Sequence, residues 1–441
     1  MTPRPLTRTL VPVALAAIAV ASCGSDDGGD ASSSSEAPSG TEAMPAGTDA
    51  TSDTMAEGTT AEGTAAEGTT GDTTSEGTAA TGTAAEGTAA EGSAGGGEAT
   101  SLVDVCPDPM VIQTDWFPEA EHGALYQLLG DDYEVDVDQR VVRGSLVTSA
   151  GETGIDIEIR TGGPAIGNQT VAAEAYSDDS IVLAYANTEA QVLQHDDTPL
   201  VSIIAPLEIN PQIIYWDPET YPEIETLSDL GEQGVTINIF GGGVFSDVFV
   251  ANGTWSADQV DPSYDGSPAR FISEDGAIAQ QGFASAEPYS YEFEFDDWGE
   301  RVAFQTLHDA GFEVYSQTLA ARPGDLEELS DCFSEFVPMV QQAAIDFVNE
   351  PQRTNAIIVD AVAQYDDFWQ YSEGLAEYSV ETQIDLGLVG NGPDGTLGNM
   401  EEERIQAVIE QIRDEAGLDV SADLTASDLF TNEFVDEGIG L

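Results

Sequence analysis

Three stretches of this chain are built to one order: an apolar or alternating run, a turn marked by Gly or Pro, then a helix. Residues 110–114 lead through Asp115, Trp116, Phe117 and Pro118 into a helix over 119–129. Residues 155–160 lead through Thr161, Gly162, Gly163 and Pro164 into a helix over 165–176. Residues 235–240 lead through Gly241, Gly242 and Gly243 into a helix over 244–252. Strands alternating with helices restrict the chain to the α/β class, with mainly parallel sheets expected. Pro164 suits a first helical position, where its missing N–H has no partner to lose. The glycines let the backbone turn sharply and come close to a ligand. In open α/β sheets a ligand sits beyond the carboxyl ends of the strands, where the following helices aim unpaired N–H groups. Three separate turns are therefore expected to converge on one cleft.

The remaining pattern extends this frame. A strand over 201–205 leads through Asn210, Pro211 and Gln212 into a second apolar run at 213–216. Residues 282–284 lead into Glu287, Pro288 and Tyr289, and 312–319 reads as a strand. From 326 onward the apolar spacing is helical, with Ala343, Phe347, Ile357, Ile358, Val362 and Phe368 on the inward faces, and 400–416 is a further amphipathic stretch. The expected layout is two α/β lobes with a ligand cleft between them. Residues 105–204 and 319–441 form the first, 205–318 form the second, and two crossings near 205 and 318 join them.

The N-terminal quarter is of another kind. Arg4 and Arg8 precede an apolar run over 10–21, too short to span a bilayer, that ends at Val20, Ala21, Ser22 and Cys23. This resembles the lipobox of a bacterial lipoprotein, which implies removal of residues 1–22, a diacylglycerol on Cys23, and work at the outer face of the cell membrane. The alternative is an ordinary signal peptide with an incidental cysteine. Residues 24–104 are almost wholly Gly, Ser, Thr, Ala, Glu and Asp, with Glu-Gly-Thr recurring from Glu57 onward. Such a stretch has no apolar surface to offset the entropy of ordering, and its period is too short and polar for a solenoid. It reads as a tether from Cys23, spanning roughly 50 Å root-mean-square as a coil.

Charge and cysteines narrow the chemistry. The formal net charge is −71, with 11 Lys and Arg together, all of them arginine. Nucleic acid is not an expected partner, because phosphate binding needs clustered positive charge. The acidity reads as solubility in a salty setting. With Cys23 lipidated, Cys106 and Cys332 remain. An even pair in an exported protein reads as a disulfide, which over so long a loop contributes ~3–5 kcal/mol in the chain-entropy treatment; the alternative is two free buried thiols.

The run Thr114-Asp115-Trp116-Phe117-Pro118, with Glu121-His122-Gly123 and Leu125-Tyr126, resembles the opening of solute-binding proteins of the NMT-type group. That group takes thiamine pyrimidine precursors, alkanesulfonates, taurine, nitrate and, in some lineages, riboflavin. The turn over 162–166, the turn over 241–243 and Glu287-Pro288-Tyr289 fall in the order the group shows. The resemblance covers 106–441. It implies a periplasmic-binding-protein-like fold of type II, a monomer whose two lobes close on a small molecule, and delivery to an ABC permease with its ATPase. A pyrimidine synthase in the same broad family holds pyridoxal phosphate on a lysine and iron on a cysteine cluster. A chain without lysine cannot form that Schiff base, so no cofactor and no enzyme activity are expected. Nor is there a G-x-S-x-G elbow, a P-loop or a His-Glu-x-x-His pair, and His122, His195 and His308 suggest no metal site.

The expected ligand contacts follow from the three turns and the resemblance. Trp116, His122, Tyr126 and Tyr289 offer flat faces for a ring. Asp115 and Glu287 accept hydrogen bonds from ring N–H or amino groups. Gly162, Gly163, Pro164, Asn210, Gly242, Gly243 and Ser246 complete the set. An anion would instead use helix N-termini near Ala165 and Val244, but arginine is scarce there and Asp247 follows Ser246. A neutral or cationic nitrogen heterocycle, such as a thiamine-type pyrimidine or a flavin-like ring, is therefore expected ahead of a sulfonate, taurine or nitrate. An anchored sensing or adhesion protein without transport is the reading from another class.

Overall fold

The computed structural model describes residues 100–441. The segment 1–22, Cys23 and the tether through residue 99 lie outside the described residues. In chain order the elements are β1 (Met110–Gln113), α1 (Gly123–Gln127), β2 (Glu134–Asp136), β3 (Val141–Thr148), β4 (Gly151–Arg160), α2 (Val171–Ser177), β5 (Leu183–Ala186), α3 (Thr188–Gln194) and β6 (Val201–Ile204). There follow β7 (Gln212–Trp216), α4 (Leu227–Gln233), β8 (Ile237–Asn238), α5 (Val244–Ala251), β9 (Val260–Asp261), α6 (Ala269–Ser273), β10 (Ala279–Phe283), α7 (Glu287–Phe293) and β11 (Ala303–Thr306). The last are β12 (Thr318–Ala321), α8 (Pro323–Glu328), α9 (Ser330–Asn349), α10 (Gln352–Tyr365), α11 (Glu373–Asp385) and α12 (Glu402–Glu410).

The class is α/β, built on two sheets. One has seven strands in the order β2-β3-β4-β1-β5-β12-β6, the other five in the order β11-β7-β10-β8-β9. Both are mixed rather than mainly parallel. β4-β1-β5 and β10-β8-β9 run parallel, but the β2-β3-β4 meander, β12 and β7 bring antiparallel neighbours. Parallel strands covered on both faces read as continuous apolar runs, and every residue of β1 and β5 is buried. Met110, Ile112, Ile157 and Ile159 face one core with Phe333, Phe336, Phe347 and Ile358 of α9 and α10. Val111, Ala184 and Ala186 face the other way, onto Ala172 and Ala175 of α2. The second sheet alternates in the same manner: Ile214 and Trp216 enter one core, Ile213 and Tyr215 another with Phe271 and Tyr291.

Several expectations need correction. The helix expected over 165–176 is a single 3-10 turn, Gly163–Ile166, followed by α2. Gly167 and Asn168 take left-handed φ values of 69° and 58°, and the Thr170 side chain accepts from the Ala173 amide to start α2 afresh. No helix N-terminus stands at Ala165. Residues 312–317 form no strand; their apolar side chains lie under α12, and only Thr318–Ala321 pairs in a sheet. The stretch 319–441, expected in the first lobe, reaches both cores. Ile405, Val408 and Ile409 of α12, with Leu424 and Leu429, pack into the second sheet's core, whereas Leu397 and Phe434 on either side belong to the first. The chain therefore passes between the two cores four times, at 205–211, 307–317, 397–400 and 429–434.

Cys106 and Cys332 are joined, with Cα atoms 4.8 Å apart across a sequence separation of 226. The bond ties the start of the described chain to the buried face of α9.

Candidate functional site

The turn after β1 is fixed by its own backbone chemistry. The Thr114 hydroxyl reaches the carbonyl oxygens of Trp116 (2.8 Å) and Arg160 (2.9 Å), and the Gly162 amide donates to the Trp116 carbonyl. A Cβ at Gly162 would overlap the Thr114 carbonyl. One at Gly163, where φ is +58°, would stand 2.5 Å from Cε3 of Trp116. The paired glycines thus let the Trp116 indole lie flat against the second turn. From there Trp116 meets Phe240 (centroids 6.4 Å apart) and Trp369 (6.0 Å) edge to face.

These rings wall a cavity of about 210 Å³. The first-sheet side supplies Asp115, Trp116, Glu119 and Glu121. The second supplies Gln212, Phe240, Tyr264, Gln281, Gly282 and Glu287. Gln317 comes from a crossing segment, and Trp369 and Tyr371 from the link between α10 and α11. Four carboxyl groups share this space with six aromatic residues, and no arginine lines it.

The carboxyls are held by a dense network. His122 is fully buried, with Nε2 2.8 Å from Asp115 Oδ1 and 3.8 Å from Glu119 Oε1. Gln317 Nε2 donates to Glu119 Oε1 at 3.2 Å. The Ser285 hydroxyl donates to Glu121. The Ser379 hydroxyl donates to the Ser285 carbonyl at 2.6 Å and accepts from Tyr371, whose oxygen accepts from the Ala120 amide. The Phe283 amide donates to Glu287 Oε2 at 2.6 Å. Burial pushes the Glu119 carboxyl well above its ordinary value, and the neighbouring charges of Glu121 and Asp115 push the same way. Burial also raises Glu121, against the Ser285 hydrogen bond. Glu287 is raised by burial to about 7, against the Phe283 amide.

These shifts give a sign to the pH dependence of stability. A carboxyl raised in the folded state contributes fully below its unfolded value near 4.5, and the contribution is lost as pH rises through the folded value of about 7. The melting temperature is expected to fall between those limits, and Glu287→Gln is expected to narrow that fall; thermal melts of both proteins across the range check it. Gly282 supplies a steric test. A Cβ there would lie 2.7 Å from Cδ of Glu287, so Gly282→Ala is expected to cost ~1–3 kcal/mol by overpacking, read by denaturant unfolding, while displacing the carboxyl.

Of the residues expected at a ligand, Asp115, Trp116 and Glu287 line the cavity. His122 lies beneath Asp115, and Gly162 and Gly163 lie behind Trp116. Buried Asn210 accepts from the Gln212 amide (3.0 Å) and donates to its side chain (3.3 Å), orienting a lining residue. Six others lie elsewhere. Tyr126 is buried in the first core. Pro164 is exposed on the 3-10 turn. Gly242, with φ of +87°, and Gly243 turn the chain from Phe240 into α5, outside the cavity lining. The Ser246 hydroxyl donates to the Gly243 carbonyl inside that helix start. Tyr289 packs on Phe293 and Tyr378 instead. Glu119, Glu121, Gln212, Phe240, Tyr264, Gln281, Gln317, Trp369 and Tyr371 were not foreseen. Glu121 stands inside the Glu-His-Gly run after β1; Trp369 and Tyr371 sit in the link between α10 and α11, which carries no Gly or Pro.

No protein-family model matches the chain, and no curated protein matches it in sequence. Solved structures do match in shape. The periplasmic aliphatic sulphonate binding protein SsuA from Escherichia coli is 13% identical with a TM-score of 0.46, over 70% of this chain and 86% of its own. The periplasmic nitrate-binding protein NrtA from Synechocystis is 10% identical with a TM-score of 0.46, over 75% of this chain and 88% of its own. A Candida albicans protein described as having the generic periplasmic binding protein fold is 13% identical with a TM-score of 0.44, over 75% and 98%. At such values the functional reading rests on the pocket's own chemistry.

Proposed function

We propose that this chain is an extracytoplasmic solute-binding protein that captures a small nitrogen heterocycle and delivers it to an ABC permease and ATPase. The observation that carries the reading is the cavity itself: side chains from both sheets and from a crossing segment meet around one hollow walled by aromatic rings and carboxyls. A ligand there touches both halves at once, so it favours the arrangement that brings them together. The rings supply stacking faces, and the carboxyls and glutamines supply partners for ring N–H and amino groups. A volume of about 210 Å³ suits a single substituted ring such as a thiamine-type pyrimidine better than a flavin. A sulfonate or nitrate would have to enter among four carboxyl groups with no arginine beside them, at the cost of like-charge repulsion. The lipid anchor on Cys23 and the tether belong to the same proposal, holding a monomeric binding domain clear of the membrane.

Calorimetric titration against hydroxymethylpyrimidine derivatives, riboflavin, taurine and alkanesulfonates tests the ligand class. Saturable binding of a pyrimidine, recovered chemically unchanged, is the expected result. Binding of the sulfonates or taurine alone would reverse the choice of ligand. Unimpaired uptake of the bound solute after deletion of the gene would favour a sensing or adhesion role instead.

A further inference from the structure

Resting on that reading of the cavity as a solute site, we propose that its occupant is a cation, and that its charge replaces protons held by Glu119, Glu121 and Glu287, so that capture liberates protons to the solvent. Three arrangements point this way. Trp116, Phe240, Tyr264, Trp369 and Tyr371 form a box of ring faces and edges, the surroundings that attract a desolvated cation. The carboxyl groups reach that box from both halves of the lining, Asp115, Glu119 and Glu121 from the segment between β1 and α1 and Glu287 from the start of α7. Between them Gln317, 2% exposed, lines the cavity with an Oε1 that has no hydrogen-bond partner, while its Nε2 is committed to Glu119 and Asp115. An unpartnered acceptor at this depth is costly to leave bare, and an N–H or polarised C–H on a positively charged ring satisfies it.

Apart from His122, whose charge acts on Glu121, the surroundings of the three glutamates supply no positive charge. Asp115 and His122 face them from the turn after β1, and Tyr126 faces Glu119 from α1. Tyr371 faces Glu119 and Glu121 from the α10–α11 link. Tyr215, Tyr264, Tyr291 and Tyr378 face Glu287 from β7, the loop after β9, α7 and α11. All but His122 are acids, and no arginine is among them. In the empty pocket the cluster lowers its charge by holding protons, consistent with the raised Glu119, Glu121 and Glu287 carboxyls. A cation entering the box neutralises the same charge. The O–H bond of a glutamic acid breaks, the proton passes to buffer, and the carboxylate remains as counter-ion. Affinity for a cation therefore rises with pH, opposite to what an anion would show.

Three one-ring probes that differ in charge separate the possibilities: N-methylpyridinium, benzyl alcohol and benzenesulfonate. Each is titrated calorimetrically into the intact domain at about pH 6 and about pH 8, in two buffers of different ionisation enthalpy, so that protons released are counted directly. The expected result is binding of N-methylpyridinium alone, about tenfold tighter at the higher pH, with net proton release that diminishes in Glu287→Gln. A thermal melt confirms that this variant is folded. Preferred binding of benzyl alcohol or benzenesulfonate overturns the cation inference and leaves the solute-binding reading intact. N-methylpyridinium binding without proton release or pH dependence overturns the exchange. Failure of all three probes to bind counts against the cavity as a solute site, and so against both readings.

Discussion

Arg404→Ala is expected to destabilise the folded domain by about 3–5 kcal/mol, the range for breaking a buried ion pair from one side. Arg404 projects from α12 with its side chain 6% exposed. Its Nε donates to the Glu313 carbonyl at 2.6 Å and Nη2 to the Val314 carbonyl at 3.1 Å. Nη1 reaches both the carbonyl (2.9 Å) and Oε1 (3.1 Å) of Glu208, and the guanidinium lies 3.7 Å over the Tyr315 ring. Glu208 belongs to the crossing at 205–211, and Glu313, Val314 and Tyr315 to the crossing at 307–317. One planar fork thus fastens two of the four chain passages to the helix that packs beside them. Burial already pushes the Glu208 carboxyl up to about 7 despite the arginine. Alanine leaves that carboxyl and three carbonyls without their donor. Lysine keeps the charge but not the fork or the ring stacking, so Arg404→Lys is expected to restore only part of the loss. Urea unfolding of the three proteins measures it, and a loss below about 1 kcal/mol would mean that the crossings are held by other contacts.

Loss of the Cys106–Cys332 bond is the second large effect. The bond closes a sequence separation of 226, for which the chain-entropy treatment gives about 5 kcal/mol. Cys332 lies fully buried at the start of α9 beside Phe333, and without the bond the segment before β1 is held by buried Leu102, whose amide donates to the Thr153 carbonyl, and by the Asp156 amide donating to Asp108. The double variant Cys106→Ala, Cys332→Ala avoids adding a buried hydroxyl and isolates the cross-link. Its unfolding free energy is expected to fall by ~3–5 kcal/mol, and reductant is expected to lower the midpoint of the parent protein but not of the variant. A change of a few tenths of a kcal/mol would show that the unfolded chain is already restrained without the bond.

What could be read from the sequence follows physical lines. β1 and its turn were legible because a wholly buried strand is a continuous apolar run and Asp-Trp-Phe-Pro cannot extend it. Trp116 and Asp115 followed, being where such a strand ends. Strand direction was not legible: nothing in the residues 318–321 says that β12 runs antiparallel to β5. Helical spacing in α12 announces an apolar face but not which core receives it, so the third and fourth crossings were missed. Gly242 is expected at a ligand from the glycine turn; its φ of +87° accounts for glycine at that position by the turn, and it is not among the residues lining the cavity. Of the pocket's walls, Tyr264 and Trp369 stand in loops whose position is set by distant packing, beyond any local pattern.

The solute is proposed to bind in the cavity between Trp116, Phe240, Trp369 and Glu287. Comparative titration of hydroxymethylpyrimidine and N-methylpyridinium into the parent protein and into the double variant Trp116→Ala, Trp369→Ala tests it most directly. Two lost aromatic faces, at ~0.5–1.5 kcal/mol each beyond their buried area, predict one equivalent bound by the parent and affinity weakened at least about tenfold in the folded variant. Equal affinity in the two proteins would place the ligand outside this cavity.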